Sequence, residues 1–289
     1  MKAFTMALLL MYSMSSFAQQ KNITILVHGT GAGYTVKMAK QLRYCPKGLH
    51  HVELEHNHQH IGQYFLIKVE KLSTQNPARF DKEHFYTFGW SGKLGFLVRQ
   101  QAGKELAQEL GQLVELYKDR YGQLPHVQII TFSHGGNVAL QIAEFKEYFP
   151  KELFIELIML ASPIQATTEH FMLDECFSKV YNIFSEDDII QRIDPQNLYA
   201  PKKDKDSFFS RRTFSTSHAK CKQTKITVRN RGLGHLDMIH GQPILHLSDI
   251  LQQLDSFAHD VIGHINLDTD YVRVSMFRMR KWLKTYCMI

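Results

Sequence analysis

The sequence lacks the marks of several common protein classes. It holds four cysteines and no CxxC pair, so its spacing argues for neither zinc nor redox chemistry. No dense Lys/Arg block interleaved with aromatics occurs in the body of the chain. A formal net charge of +6 is therefore no sign of a nucleic-acid partner. The first glycine-rich turn, His28-Gly29-Thr30-Gly31-Ala32-Gly33, has its glycines at alternate positions. That is not GxGxxG, and no GK[ST] follows, which argues against a nucleotide. Past the N-terminus no apolar run reaches membrane-spanning length. Neither an internal repeat nor a second compact domain is visible.

What is present is an ordinary globular composition, 44% hydrophobic and 21% charged over 289 residues, enough for a sizeable core. Met1-Lys2, an apolar run from Ala3 to Tyr12 and the small residues Ser16 and Ala18 have the layout of a secretory signal peptide over residues 1–18. The expected protein is exported, to the periplasm or beyond. In such a compartment Cys45, Cys176, Cys221 and Cys287 allow three disulfide pairings, of which Cys176–Cys221 is preferred over free, buried thiols only by a small margin.

Apolar, β-branched runs alternate with helical patterns. Asn22 to Val27, His84 to Gly92, Val127 to Phe132, Phe154 to Leu160, Lys179 to Phe184 and Lys225 to Val228 read as strands. Runs apolar on both faces suit buried parallel strands. Phe96 to Tyr121 and a segment from about Pro243 to Ile262 read as long amphipathic helices, and Gln63 to Val69 reads as either strand or helix. The expected fold is an α/β sheet of about six mostly parallel strands with helices on both faces, spanning residues 19–267. In such sheets chemistry gathers at the carboxyl ends of the strands.

One stretch organises the rest. Val127 to Phe132 stops abruptly at Ser133-His134-Gly135-Gly136, and a helical pattern begins at once. Strand, sharp turn and helix would lift the Ser133 hydroxyl out of the sheet edge. A serine hydroxyl needs an imidazole as base, and the imidazole needs a carboxylate to fix its tautomer. Asp187 or Asp188 follows one later strand and His235 follows another. His240 is a competing histidine.

These motifs, Leu26-Val27-His28-Gly29-Thr30-Gly31, Phe132-Ser133-His134-Gly135-Gly136, Ser185-Glu186-Asp187-Asp188-Ile189-Ile190 and Gly234-His235, resemble those of the serine α/β-hydrolase superfamily, esterases and lipases among them. The resemblance covers about residues 22–262. It implies Ser133 as nucleophile, His235 as general base and acid, Asp188 as the triad acid with Asp187 as the alternative, and an oxyanion hole from the backbone N–H groups of Thr30 and His134. It implies no metal and no cofactor, and a small-molecule or lipid ester as substrate. Thr131 departs from the pattern, because the family usually has glycine two residues before the serine. The family's first two strands are also missing ahead of His28, which suggests a compact six-stranded version.

Other features have weaker readings. His50, His51, His56, His58 and His60 form a tract that could bind metal but lacks a firm ligand spacing. Pro163 to Cys176 and Pro201 to Cys221 are candidate lids, with Phe171, Met172, Leu173, Phe208 and Phe209 either lining an acyl pocket or packing on the body. Residues 268–289 form a basic amphipathic extension that could lie on an anionic membrane surface.

Overall fold

The computed structural model describes residues 20–30, 45–52, 61–193, 209–258 and 261–269. The leader and the extension beyond residue 269 lie outside the described residues, as do Cys287, His56, His58, His60 and Phe208.

Among the described residues nine strands form one sheet: β1 (Asn22–Val27), β2 (Gly48–His51), β3 (Phe85–Gly89), β4 (His126–Phe132), β5 (Ile155–Leu160), β6 (Phe177–Phe184), β7 (Cys221–Val228), β8 (Arg231–Gly232) and β9 (Ile262–Leu267). Their order is β2-β3-β1-β4-β5-β6-β7-β8, with β9 also on β7. All neighbours are parallel except β2 on β3 and β8 on β7. The mostly parallel α/β architecture matches the expectation; the count of about six strands does not. The three extra strands are the ones with little apolar signal. β2 is Gly-Leu-His-His, β8 is two residues long, and β9 has only Ile265 and Leu267 buried.

The helices among the described residues are α1 (Ile61–Gln75), α2 (Phe96–Tyr121), α3 (Gly135–Leu140, continued by a 3-10 segment Gln141–Tyr148), α4 (Ile189–Ile193), α5 (Asp237–His240), α6 (Gln242–Leu245) and α7 (Leu247–Ser256). The long helix expected over Pro243 to Ile262 is therefore corrected. His246 has non-helical backbone angles (φ −109°, ψ 17°) and separates α6 from α7. The chain leaves the helix at Phe257, whose ring packs against Gly263. Ile262 onward then pairs with β7 and satisfies its backbone in the sheet.

Strand alternation divides the interior in two. Ile23, Ile25, Val27, Ile129 and Leu157 join Leu106, Leu110 and Val114 of α2 and Val138 to Ile142 on one face. Leu26, Ile130, Ile158, Ile183 and Ile226 join Leu247, Ile250, Leu251 and Leu254 of α7 on the other. Cys45, Cys176 and Cys221 are buried and free, so the preferred Cys176–Cys221 bridge is not made. The reason lies in the register. Cys221 stands opposite Val180, four residues along β6 from Cys176, a separation of roughly 13 Å, well beyond disulfide reach.

At the amino ends of the strands, Arg79 joins three of them. Its Nε donates to Gln128 Oε1 of β4 (3.2 Å), and its Nη2 to Glu156 Oε2 of β5 (2.7 Å) and to the Tyr181 hydroxyl of β6 (3.4 Å). Removing a cation from a mostly buried network strands its partners. Arg79→Ala is expected to cost about 3 kcal/mol, read as a lowered urea midpoint at unchanged slope.

Candidate active site

β4 ends at Phe132, and Ser133 takes a left-handed backbone conformation with φ 54°. Its N–H donates to Leu160 O at 3.0 Å, and its carbonyl accepts from Gly136 N at 3.0 Å, which closes the turn into α3. Tight packing explains two glycines. A Cβ on Gly135 would stand 2.5 Å from Val27 O, and one on Gly29 would stand 2.8 Å from Ser133 Cβ. The loop after β1 thus lies flush against the serine. Thr131 is accommodated where glycine was expected: it is fully buried and its hydroxyl donates to Ile158 O at 3.3 Å.

The acid loop follows β6. Asp188 is fully buried, whereas Asp187 is exposed, its carboxylate lying against Gly232. Asp188 Oδ2 accepts from His235 Nδ1 at 2.7 Å, and Asp188 Oδ1 accepts from Gln191 N at 3.3 Å. Arg212 Nη2 donates to Asp188 O at 3.0 Å and also to Glu186 O. The geometry thus distinguishes the two aspartates: Asp188 meets His235.

The histidine loop reaches the acid loop through β8. β9 occupies one edge of β7 from Gln223 to Val228, so the Val228–Arg231 hairpin must turn back along the β6 edge, beyond the last β6 pair at Phe184 and Lys225. Arg229 (φ 46°) and Asn230 (φ 60°) make that reversal. Leu233 N–H then donates to Ser185 Oγ at 2.8 Å, and Gly234 N–H to Asp237 Oδ2 at 2.9 Å. His235 is buried, with its ring 4.7 Å from that of Phe132, the residue before Ser133. With Nδ1 engaged by Asp188, Nε2 is the ring nitrogen left for a further proton exchange.

The remaining sites divide. Thr30 is half-buried, with a buried hydroxyl that has no hydrogen-bond partner among the described residues. His134 stands at the entry to α3, its ring buried near Asn137. His240 is an exposed residue at the end of α5, and it is His235 that pairs with Asp188. His28 is a scaffold residue: its Nε2 accepts from Trp90 N at 3.2 Å, its Nδ1 donates to Gly29 O at 2.7 Å, and its ring stacks on Trp90. His50 and His51 spend ring nitrogens on the carbonyls of Lys47 and Glu83, and no group of three metal-binding side chains occurs among the described residues.

The segment Pro163 to Cys176 packs down on the body. Met172 is buried, Phe171 is half-buried against the same core, and Leu173 is exposed. Asn137 holds this segment, donating to Pro163 O at 2.8 Å and accepting from Thr168 Oγ1 at 2.7 Å. Of the second candidate lid only the part from Phe209 onward is described, and Phe209 is exposed. Sequence reasoning missed Asn137, Gln191 and Arg212, and it named Ser185 without its bond to the histidine loop. Only Ser185 carried a signal, as a small residue at a strand end.

Burial of His28 also has a measurable consequence. Its pKa is pushed down to about 4, chiefly by desolvation. A folded-state pKa below the unfolded value of 6.5 means the contribution to stability is full above 6.5 and is lost as pH falls toward 4. At 1.36 kcal/mol per pKa unit this amounts to about 3 kcal/mol. Urea midpoints measured from pH 7 to pH 4 should fall steeply in the wild type and less steeply in His28→Asn.

Comparison with known proteins returned nothing: no family model matches the chain, nor does any curated protein or solved structure.

Proposed function

We propose that the protein is a serine hydrolase of the α/β-hydrolase kind that cleaves carboxylic esters, acyl lipids among the candidates. The observation that carries the reading is the 2.7 Å Asp188–His235 pair, with the histidine ring against Phe132, one residue from a serine in a left-handed turn between strand and helix. Chain order supports it: nucleophile after β4, acid after β6 and histidine after β7, on neighbouring loops of one parallel sheet.

In this reading Ser133 Oγ attacks the ester carbonyl while His235 Nε2 takes its proton. Asp188 fixes the imidazole tautomer and stabilises its cation. The backbone N–H groups of His134 and Thr30 receive the oxyanion. His235 passes the proton to the departing alkoxide, leaving an acyl-serine. Water, deprotonated by His235, then releases the acid and restores Ser133. No metal or cofactor enters these steps. The leader would place the reaction after export, and the basic extension would bring the enzyme to a lipid surface.

A fluorophosphonate probe tests this directly. It should label the wild-type protein on a single tryptic peptide containing Ser133 and fail to label Ser133→Ala. Folded wild-type protein that takes no label at Ser133 would instead be a non-catalytic binding protein. A panel of esters of increasing acyl length then reads the substrate preference.

A further inference from the structure

A cavity of about 580 Å³ opens away from Ser133, on the sheet face at β6, β7 and β9. Gln223, Lys225 and Thr227 point to this face, because the alternate residues Ile226 and Val228 are committed to the core under α7. A strap, residues 209–214, crosses the face. Its position is fixed by an Ile164–Arg211 bridge, by Asn182 Nδ2 donating to Arg212 O at 2.8 Å, and by Phe214 N donating to Gln223 Oε1 at 2.8 Å.

The cavity wall is cationic. Arg211, Arg212 and Lys225 line it against one carboxylate, Glu186. Lys225 Nζ lies 3.3 Å from Glu186 Oε2, and Arg211 pairs with Glu169 through Nη2. Arg211 is part-exposed, with a guanidinium that reaches the cavity wall beside its Glu169 pair. Ser210 and Thr213, both hydroxyl-bearing, stand in the same wall. Phe184 and the half-exposed Ile262 add apolar surface. The volume equals roughly twenty water molecules, more than an inorganic oxyanion needs.

We propose that this cavity binds an organic phosphate, its dianionic head on Arg211, Lys225 and the two hydroxyls and its apolar body over Phe184 and Ile262. Guanidinium and ammonium groups in one wall match a multiply charged oxyanion. The site is independent of the esterase reading. Arg212 also holds the acid loop, so it is not a suitable test position.

Phenyl phosphate is the probe, titrated calorimetrically into the full-length Ser133→Ala protein, so that binding is read without any contribution from the serine. Saturable binding is expected, weakened by 0.5 M salt and tighter than that of inorganic phosphate or benzoate. Lys225→Gln and Arg211→Gln should each weaken it about tenfold. Two variants are used because Arg211 also braces the strap, whereas Lys225 is a part-exposed strand residue whose loss leaves the core intact. Absence of saturable binding, equal affinity in Lys225→Gln, or benzoate binding as tightly as phenyl phosphate would each overturn the proposal. Fluorophosphonate labelling of the wild type reports separately on Ser133.

Discussion

Ser133→Gly should leave the protein inactive and more stable than the wild type. The backbone at Ser133 has φ 54°, a region that side-chain-bearing residues occupy at a cost of about 1–3 kcal/mol. Glycine adopts it freely, at the expense of about 0.5–1 kcal/mol of extra unfolded-chain entropy. The net expectation is a gain of about 1 kcal/mol. The two backbone hydrogen bonds of the turn, to Leu160 O and from Gly136 N, survive the change. Ester turnover should fall by about 10⁶-fold, because a hydrolase without its nucleophile retains only what the oxyanion site and binding contribute. Asn230→Gly supplies the control. It relieves a comparable left-handed residue (φ 60°) in the exposed β7–β8 turn and should raise the urea midpoint without touching turnover. Turnover retained in Ser133→Gly would remove Ser133 from the chemistry. A lowered midpoint would show that the elbow stores no strain.

Strain of this kind is legible in a sequence only by its surroundings. The run Val127 to Phe132 is continuously apolar and β-branched apart from Gln128, so a buried parallel strand follows from it. The glycines after His134 are legible as a tight turn, but their reason, the carbonyls of Val27 and His28 pressing on Gly135, belongs to another strand. β1 and β5 are legible for the same cause as β4. β9 is not, because its first residue, Ile262, falls at the end of the helical pattern, only Ile265 and Leu267 are buried after it, and its pairing with β7 is a contact made across nearly forty residues. Gln128 and Glu156, polar residues inside buried strands, look anomalous until Arg79 is placed beside them. The resemblance to serine hydrolases points to Ser133, His235 and one of two aspartates as a proposed triad, but adjacent aspartates at one strand end cannot be ranked by spacing alone. Their difference arises where the chain turns at Ser185, whose hydroxyl takes the N–H of Leu233 and so brings the histidine loop over position 188.

That difference sets the second large effect. Asp188→Asn should lower kcat/KM about 10⁴-fold and slow fluorophosphonate labelling with it, while the fold is kept. The carboxylate accepts the Nδ1 proton of His235 at 2.7 Å, and in the proposed mechanism this leaves Nε2 to accept from serine. An amide at the same place can turn its NH₂ toward Nδ1. The proton then moves to Nε2, and the base faces the nucleophile with a hydrogen where a lone pair is needed. In that mechanism charge matters as well as tautomer, since the buried carboxylate would be the counter-ion for the imidazolium formed during attack. Asp187→Asn removes an identical charge one residue earlier, but from an exposed side chain lying against Gly232. Its kcat/KM should stay within about threefold of wild type, as expected for a solvated surface group. The pair is measured with one soluble ester across pH 5 to 9. Equal losses in the two variants would mean that the acid loop acts as a unit, and a larger loss at position 187 would move the triad acid there.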